Sequence, residues 1–166
     1  NVVNKIIEAS EPTKFESVIE IGPGLGALTD QLSQKSDKLL LIEFDRTFAE
    51  FWRNKGLEVE EIDALKFDWN RLNLGKEKVL LVSNLPYQIS SRLVVDLSLK
   101  PVSFDRMTLM FQKEVAQRLQ AAPGTSDYGL LTVIAQLAWH IRLVLEAGAV
   151  DFMPKPKIAS RALLFD

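Results

Sequence analysis

The chain has 166 residues, 47% hydrophobic and 25% charged, with no cysteine and a formal net charge of -2. This composition suits one globular domain with a full core, leaves no disulfide or thiolate metal site, and offers polyanions no general attraction. No apolar run approaches the roughly 20 residues of a membrane span and no signal-like segment opens the chain, so a reducing cytoplasm is the expected setting.

Val2, Val3, Ile6 and Ile7 recur at helical spacing and predict a short opening helix, closed by the polar stretch Ser10 to Lys14. Compact apolar runs then alternate with helix-like stretches: strand Ser17 to Ile21, helix Ala27 to Gln34, strand Leu39 to Ile42, helix Thr47 to Asn54, strand Glu58 to Ile62. The alternation resumes with strand Val79 to Ser83, helix Arg92 to Leu99 capped by Ser90 or Ser91, strand Met107 to Phe111 and helix Lys113 to Gln120. Strand followed by helix, repeated in this way, predicts a parallel sheet. After Gly124 a helix is expected from about Tyr128 to Leu137. Two further apolar runs, Trp139 to Leu145 and Ser160 to Phe165, flank the proline-rich loop Phe152 to Pro156 and read as a closing antiparallel pair. No repeat or linker divides the chain, and residues 1–166 are read as one domain.

The first strand runs into Gly22-Pro23-Gly24-Leu25-Gly26-Ala27 and then a helix, which is the position of a nucleotide crevice. Glycine admits close approach of a ligand to the backbone and tolerates positive φ. Gly22-x-Gly24-x-x-Ala27 also fits the dinucleotide fingerprint, so the loop alone leaves a nicotinamide cofactor open. Glu43 ends the second strand, 21 residues beyond Gly22, where a carboxylate can accept both hydroxyls of a ribose. Asp63, followed by Ala64, stands after the third strand and can accept from an adenine amine. Three successive strands thus each deliver one suitable group to the same sheet edge. A sulfonium cofactor has no pyrophosphate, and the helix after Gly26 would then face only a carboxylate.

The fourth strand leads into Asn84-Leu85-Pro86-Tyr87 at that same edge. The exocyclic nitrogen of adenine shares its lone pair with the ring and is a poor nucleophile. The Asn84 side-chain oxygen and a backbone carbonyl from Leu85 or Pro86 can accept its two protons and turn the lone pair toward a methyl group, while Pro86 stiffens the loop. Tyr87 can stack on the base, a contact worth on the order of 1 to 3 kcal/mol. Catalysis would rest on positioning, without metal or strong base.

With these residues placed, the sequence resembles the ribosomal RNA adenine dimethyltransferase family (the KsgA type). The resemblance is carried by Val18 to Gly26, by Asn84-Leu85-Pro86-Tyr87-Gln88-Ile89-Ser90, by Phe111-Gln112-Lys113-Glu114-Val115, and by Phe152-x-Pro154-x-Pro156-Lys157. It implies an α/β, Rossmann-like, seven-stranded methyltransferase fold, with a mostly parallel sheet, an antiparallel last strand and helices on both faces. It implies S-adenosylmethionine as methyl donor, S-adenosylhomocysteine as product and no metal. The acceptors it implies are two adjacent adenines near the 3′ end of small-subunit ribosomal RNA, dimethylated within an immature subunit.

The resemblance assigns Gly22, Gly24, Glu43, Asp63, Ala64 and Asn84 to the cofactor, Asn84, Leu85, Pro86 and Tyr87 to the acceptor amine, and Phe152 to the base pocket as its second aromatic. Lys155 and Lys157, flanking that pocket, are the expected phosphate contacts. Lys113 and Arg118 read as solvated helix charges, His140 as structural, and Trp52, Trp69 and Trp139 as core. The macrolide-resistance methyltransferases, which modify large-subunit RNA and usually carry isoleucine where this chain has Leu85, remain the alternative. The superfamily's mitochondrial transcription factors, a nicotinamide-dependent oxidoreductase and a non-catalytic assembly factor are further ones. The family's Gln-Asn-Phe-Leu segment ahead of the opening helix and its helical domain after the last strand are absent from these residues, so weaker cofactor binding than in an intact protein is expected. A monomer is expected.

Overall fold

The computed structural model describes residues 1–72, 77–100, 104–148 and 158–166. Among these residues seven strands form one sheet: β1 (Ser17–Ile21), β2 (Leu39–Glu43), β3 (Glu58–Glu61), β4 (Val79–Asn84), β5 (Arg106–Gln112), β6 (Ile141–Ala147) and β7 (Ser160–Phe165). Among the described residues six α-helices surround them: α1 (Val2–Ser10), α2 (Thr29–Lys35), α3 (Arg46–Asn54), α4 (Ser90–Leu99), α5 (Lys113–Leu119) and α6 (Leu130–Ala138). The sheet order is β3-β2-β1-β4-β5-β7-β6, with β1 to β5 parallel and β7 antiparallel to both of its neighbours. This is the expected Rossmann-like arrangement, closing pair included.

Burial on both faces accounts for the strand composition. In β4, Val79, Leu80, Leu81 and Val82 are all fully buried; a central parallel strand covered twice reads as a continuous apolar run. Alternate residues serve opposite layers. Leu80 and Val82 join Ile6 and Ile7 of α1, Leu32 of α2 and Trp52 of α3, whereas Val79 and Leu81 join Leu93, Val94 and Leu97 of α4 and Leu131 and Ala135 of α6. Each fully buried aliphatic side chain contributes about 1.5 to 3 kcal/mol against its exposed state.

Several boundaries differ from the sequence expectation for local reasons. The helix after β1 starts at Thr29 and not at Ala27, because the chain first makes a turn over Pro23 to Gly26, in which the Gly26 N–H donates to the Pro23 carbonyl at 2.9 Å. The helix after β4 starts at Ser90 with Ile89 as its cap; neither Ser90 nor Ser91 caps it, and the Ser90 hydroxyl donates to the Tyr87 carbonyl at 3.2 Å instead. Trp139 terminates α6, so β6 begins two residues later than expected.

Chain order reverses between β1 and β4, which lie side by side while β2 and β5 continue outward in opposite directions. Loops leaving the carboxyl ends of β1 and β4 part here and leave a crevice. The glycine loop and the Asn84 loop are those two loops.

Candidate active site

The backbone of the glycine loop is left-handed at three points, with φ of 65° at Gly22, 51° at Gly24 and 93° at Gly26. At Gly24 the space around is open, so the conformation itself selects glycine. The Gly22 N–H donates to the Ile42 carbonyl at 2.8 Å, and the Ser83 hydroxyl donates to the Ile21 carbonyl at 2.6 Å. The ends of β2, β1 and β4 are thereby tied together under the loop. A Cβ on Gly22 would stand 3.8 Å from the Pro86 ring, so the two loops meet at ordinary contact distance.

Glu43 is the last residue of β2 and only 7% exposed. One carboxylate oxygen accepts from the Asp45 N–H at 2.8 Å, and the other takes a long 3.4 Å bond from the Gly24 N–H. The second oxygen is weakly engaged and sits against the glycine loop. Asp45 instead caps α3, accepting from Thr47 and Phe48. Asp63 accepts from the Leu65 N–H at 2.9 Å through one oxygen, which leaves the other for a further donor. Glu43, Asp63, Ala64, Gly22, Pro86 and Ile89 line one recess of about 250 Å³, with the exposed Phe44 on its rim.

Asn84 ends β4 with its side chain exposed, while Leu85 turns into the core. The Leu85 N–H donates to the Met110 carbonyl. Of the loop carbonyls, that of Pro86 accepts from the Ile89 N–H at 3.2 Å and that of Tyr87 from Ser90. Among the described residues the Leu85 carbonyl accepts nothing, so of the two carbonyls open to the sequence reading it is the one left for an outside donor. Tyr87 is 40% exposed and is not core. Asn84 lines a second recess of about 320 Å³ together with Gly22, Gly24, Ala27, Leu28 and Glu20.

The motif spacing gives Glu20 no role. It is 1% exposed, one of its oxygens has no hydrogen-bond partner, and it lines the second recess. Burial pushes its carboxyl up to about 8; the Thr29 hydroxyl beside it works the other way, and the charges of Asp30 and Glu43 reinforce the rise. The signal was present: a carboxylate in a strand predicted to be covered on both faces is expensive unless it has a use.

The remaining candidates are dispersed. Phe152, Lys155 and Lys157 lie outside the described residues. Lys113 and Arg161 both pair with Glu146, at 2.7 and 2.8 Å. His140 is exposed and joins the sheet through backbone bonds to Asp166. Trp52 and Trp69 are core, as expected, and Trp139 is half-buried with its indole N–H on the Ser98 hydroxyl. No helix of the described residues is long and apolar enough to cross a membrane.

A family model described as ribosomal RNA adenine dimethylase matches residues 1–164. The ribosomal RNA small subunit methyltransferase A of Bdellovibrio bacteriovorus is 49% identical over 165 residues, covering 99% of this chain and 60% of the relative. A dimethyladenosine transferase from Plasmodium falciparum superposes with a TM-score of 0.86 at 32% identity, over 99% of this chain and 60% of that one. The 23S rRNA methyltransferase ErmE superposes with a TM-score of 0.79 at 26% identity, over 99% of this chain and 66% of that one. This chain spans about three-fifths of the length of the curated relatives it matches.

Proposed function

We propose, for a chain that belongs to the ribosomal RNA adenine dimethylase family, that it transfers methyl groups from S-adenosylmethionine to N6 of two adjacent adenines near the 3′ end of small-subunit ribosomal RNA, two methyls to each. Support comes above all from the meeting of the glycine loop and the Asn84 loop at the ends of adjacent strands, which puts a nucleoside recess and an amine-accepting loop side by side.

The residues fit the cofactor. Glu20 sets an unpartnered buried carboxylate oxygen beside the second recess, which suits the ammonium of an amino-acid end. No Lys or Arg lines either recess among the described residues, so the paired negative charges of a dinucleotide would find no counter-charge there. S-adenosylmethionine, when bound, supplies an electrophilic methyl group on a positively charged sulfur. Glu43 accepts the ribose hydroxyls, Asp63 accepts from the adenine amine, and Gly22, Gly24 and Ala64 let the cofactor lie close to the backbone. The Asn84 side-chain oxygen and the Leu85 carbonyl accept the two protons of the target amine and aim its lone pair, Pro86 holds the turn, and Tyr87 stacks on the base. From the sequence, Phe152 adds a second aromatic, and Lys155 and Lys157 meet phosphates. The same reading places a monomer in the cytoplasm, acting on an immature small subunit, with no metal.

Transfer of labelled methyl groups into immature small subunits, and in parallel into large-subunit RNA, tests the reading. Label should enter small-subunit RNA as dimethyladenosine, and Asn84→Ala should lower the rate about 100-fold, the order found when one preorganised polar contact to a reacting group is removed. Label in large-subunit RNA alone would favour the chemistry of ErmE, whose fold is also close. An unimpaired Asn84→Ala variant would remove Asn84 from the chemistry.

A further inference from the structure

A loop with three left-handed glycines is costly to order, because glycine has the most conformational freedom to lose. Something outside the loop must hold it. The Gly24 backbone is gripped from the β2–α3 unit at both its N–H and its carbonyl. Its N–H reaches Glu43, and its carbonyl accepts from the Trp52 indole N–H at 3.0 Å. Trp52 comes from the last turn of α3, 28 residues away, and is 2% exposed.

The indole is itself fixed. Phe51 stacks edge-on against it with ring centroids 4.9 Å apart, and the Lys55 ammonium lies 4.8 Å from its centre. Its benzo edge occupies the place where a side chain on Gly26 would stand: a Cβ there would fall 2.4 and 2.5 Å from two Trp52 ring carbons. Glycine at 26 and tryptophan at 52 therefore form a matched pair, with the bulk missing from one supplied by the other. The single ring thus meets the loop twice, through its N–H at Gly24 and through its edge at Gly26.

We propose that Trp52 is a positioning residue for the cofactor, holding the Gly24–Gly26 backbone in the conformation that S-adenosylmethionine binds. The proposal rests on the glycine loop being that cofactor's site. Trp52 touches neither recess, and it acts by ordering the loop beforehand, so that less freedom is lost on binding.

Trp52→Phe keeps an aromatic ring in the core but removes both contacts to the loop, the N–H donor at Gly24 and the benzo edge at Gly26. Calorimetric titration of the full protein with S-adenosylmethionine should show Kd raised about 3- to 10-fold, the span of one net hydrogen bond. The rate at saturating cofactor and the KM for RNA should stay within about two-fold of wild type, a split that general destabilisation would not produce. Amide hydrogen exchange across Gly24 to Ala27 should be faster in the variant. An unchanged Kd with unchanged exchange would overturn the proposal. Should Trp52→Phe not fold, the Trp52 indole N–H resonance of the wild type serves instead: S-adenosylmethionine should shift it and slow its exchange, and a resonance indifferent to the cofactor would overturn the proposal equally. Wild-type protein that binds no S-adenosylmethionine would instead refute the proposed function itself.

Discussion

Glu20→Gln should change how stability depends on pH. In the fold the Glu20 carboxyl is pushed from 4.5 up to about 8, first by burial, against the Thr29 hydroxyl and with the help of Asp30 and Glu43. The unfolded chain releases this proton near 4.5 and the native protein only near 8. Across that window the native state holds more protons than the unfolded one, so stability is full below 4.5, falls as pH rises, and levels off above 8. The gap, at about 1.4 kcal/mol per pKa unit, sets a ceiling of about 5 kcal/mol. Glu20 borders an open recess, and water entering to hydrate the charged form lowers the loss to about 2 to 4 kcal/mol.

Glutamine keeps the shape and stays neutral. Urea unfolding at pH 5, 7 and 9 should show wild type losing about that much stability relative to Glu20→Gln, with the two nearly equal at pH 5. The cofactor link has its own sign. A cation bound beside Glu20 favours its charged form, so S-adenosylmethionine should bind wild type more tightly at pH 7 than at pH 6, below the titration of its own amine, and the variant equally at both. Parallel stability curves for the two proteins would refute the assignment of a buried, neutral Glu20.

Gly26→Ala should cost about 2 to 4 kcal/mol, from overpacking against Trp52 together with a left-handed φ of 93°, lowering the Tm by about 5 to 15 °C. The double variant Gly26→Ala, Trp52→Leu should lose less than the sum of the two single losses, by about 1 kcal/mol or more, and strictly additive losses in thermal melts would show that the two residues do not meet. Tyr87→Ala should lower kcat/KM for RNA about 5- to 100-fold, the equivalent of one stacked base, with calorimetric S-adenosylmethionine affinity unchanged within two-fold. Equal turnover in steady-state assays would leave Tyr87 a turn residue only.

The strands were legible because this sheet is covered on both faces. Apolar runs such as Val79 to Val82 need no alternation to be recognised, and β1 and β7 fall on the residues read from the sequence. Helix starts were less legible, because they depend on what the preceding loop does with its hydrogen bonds. Ser90 illustrates this: a serine before an apolar helical stretch is the usual sign of a cap, yet its hydroxyl closes the Tyr87 turn and the helix begins one residue after Ile89 instead.

The site divides in the same physical way. Gly22, Glu43, Asp63 and Asn84 were legible because parallel strands bring their carboxyl ends to one edge, so spacing along the chain becomes adjacency in space. Each of them faces outward to a recess and is recognisable by chemistry alone. Glu20 and Trp52 face inward, and their meaning depends on partners the spacing does not encode. Glu20 stands out in sequence only as a carboxylate in a strand expected to be covered on both faces, and its surroundings appear once β2 and β4 flank it. Trp52 reads as core, which it is, and only the crossing of α3 beneath the glycine loop gives its N–H the Gly24 carbonyl. Residues at the strand ends that line the recesses are thus written in local motifs, whereas the surroundings of Glu20 and Trp52 are written in tertiary contacts. A charged side chain in a doubly covered strand, or the largest side chain opposite a glycine, is the trace such contacts leave in sequence.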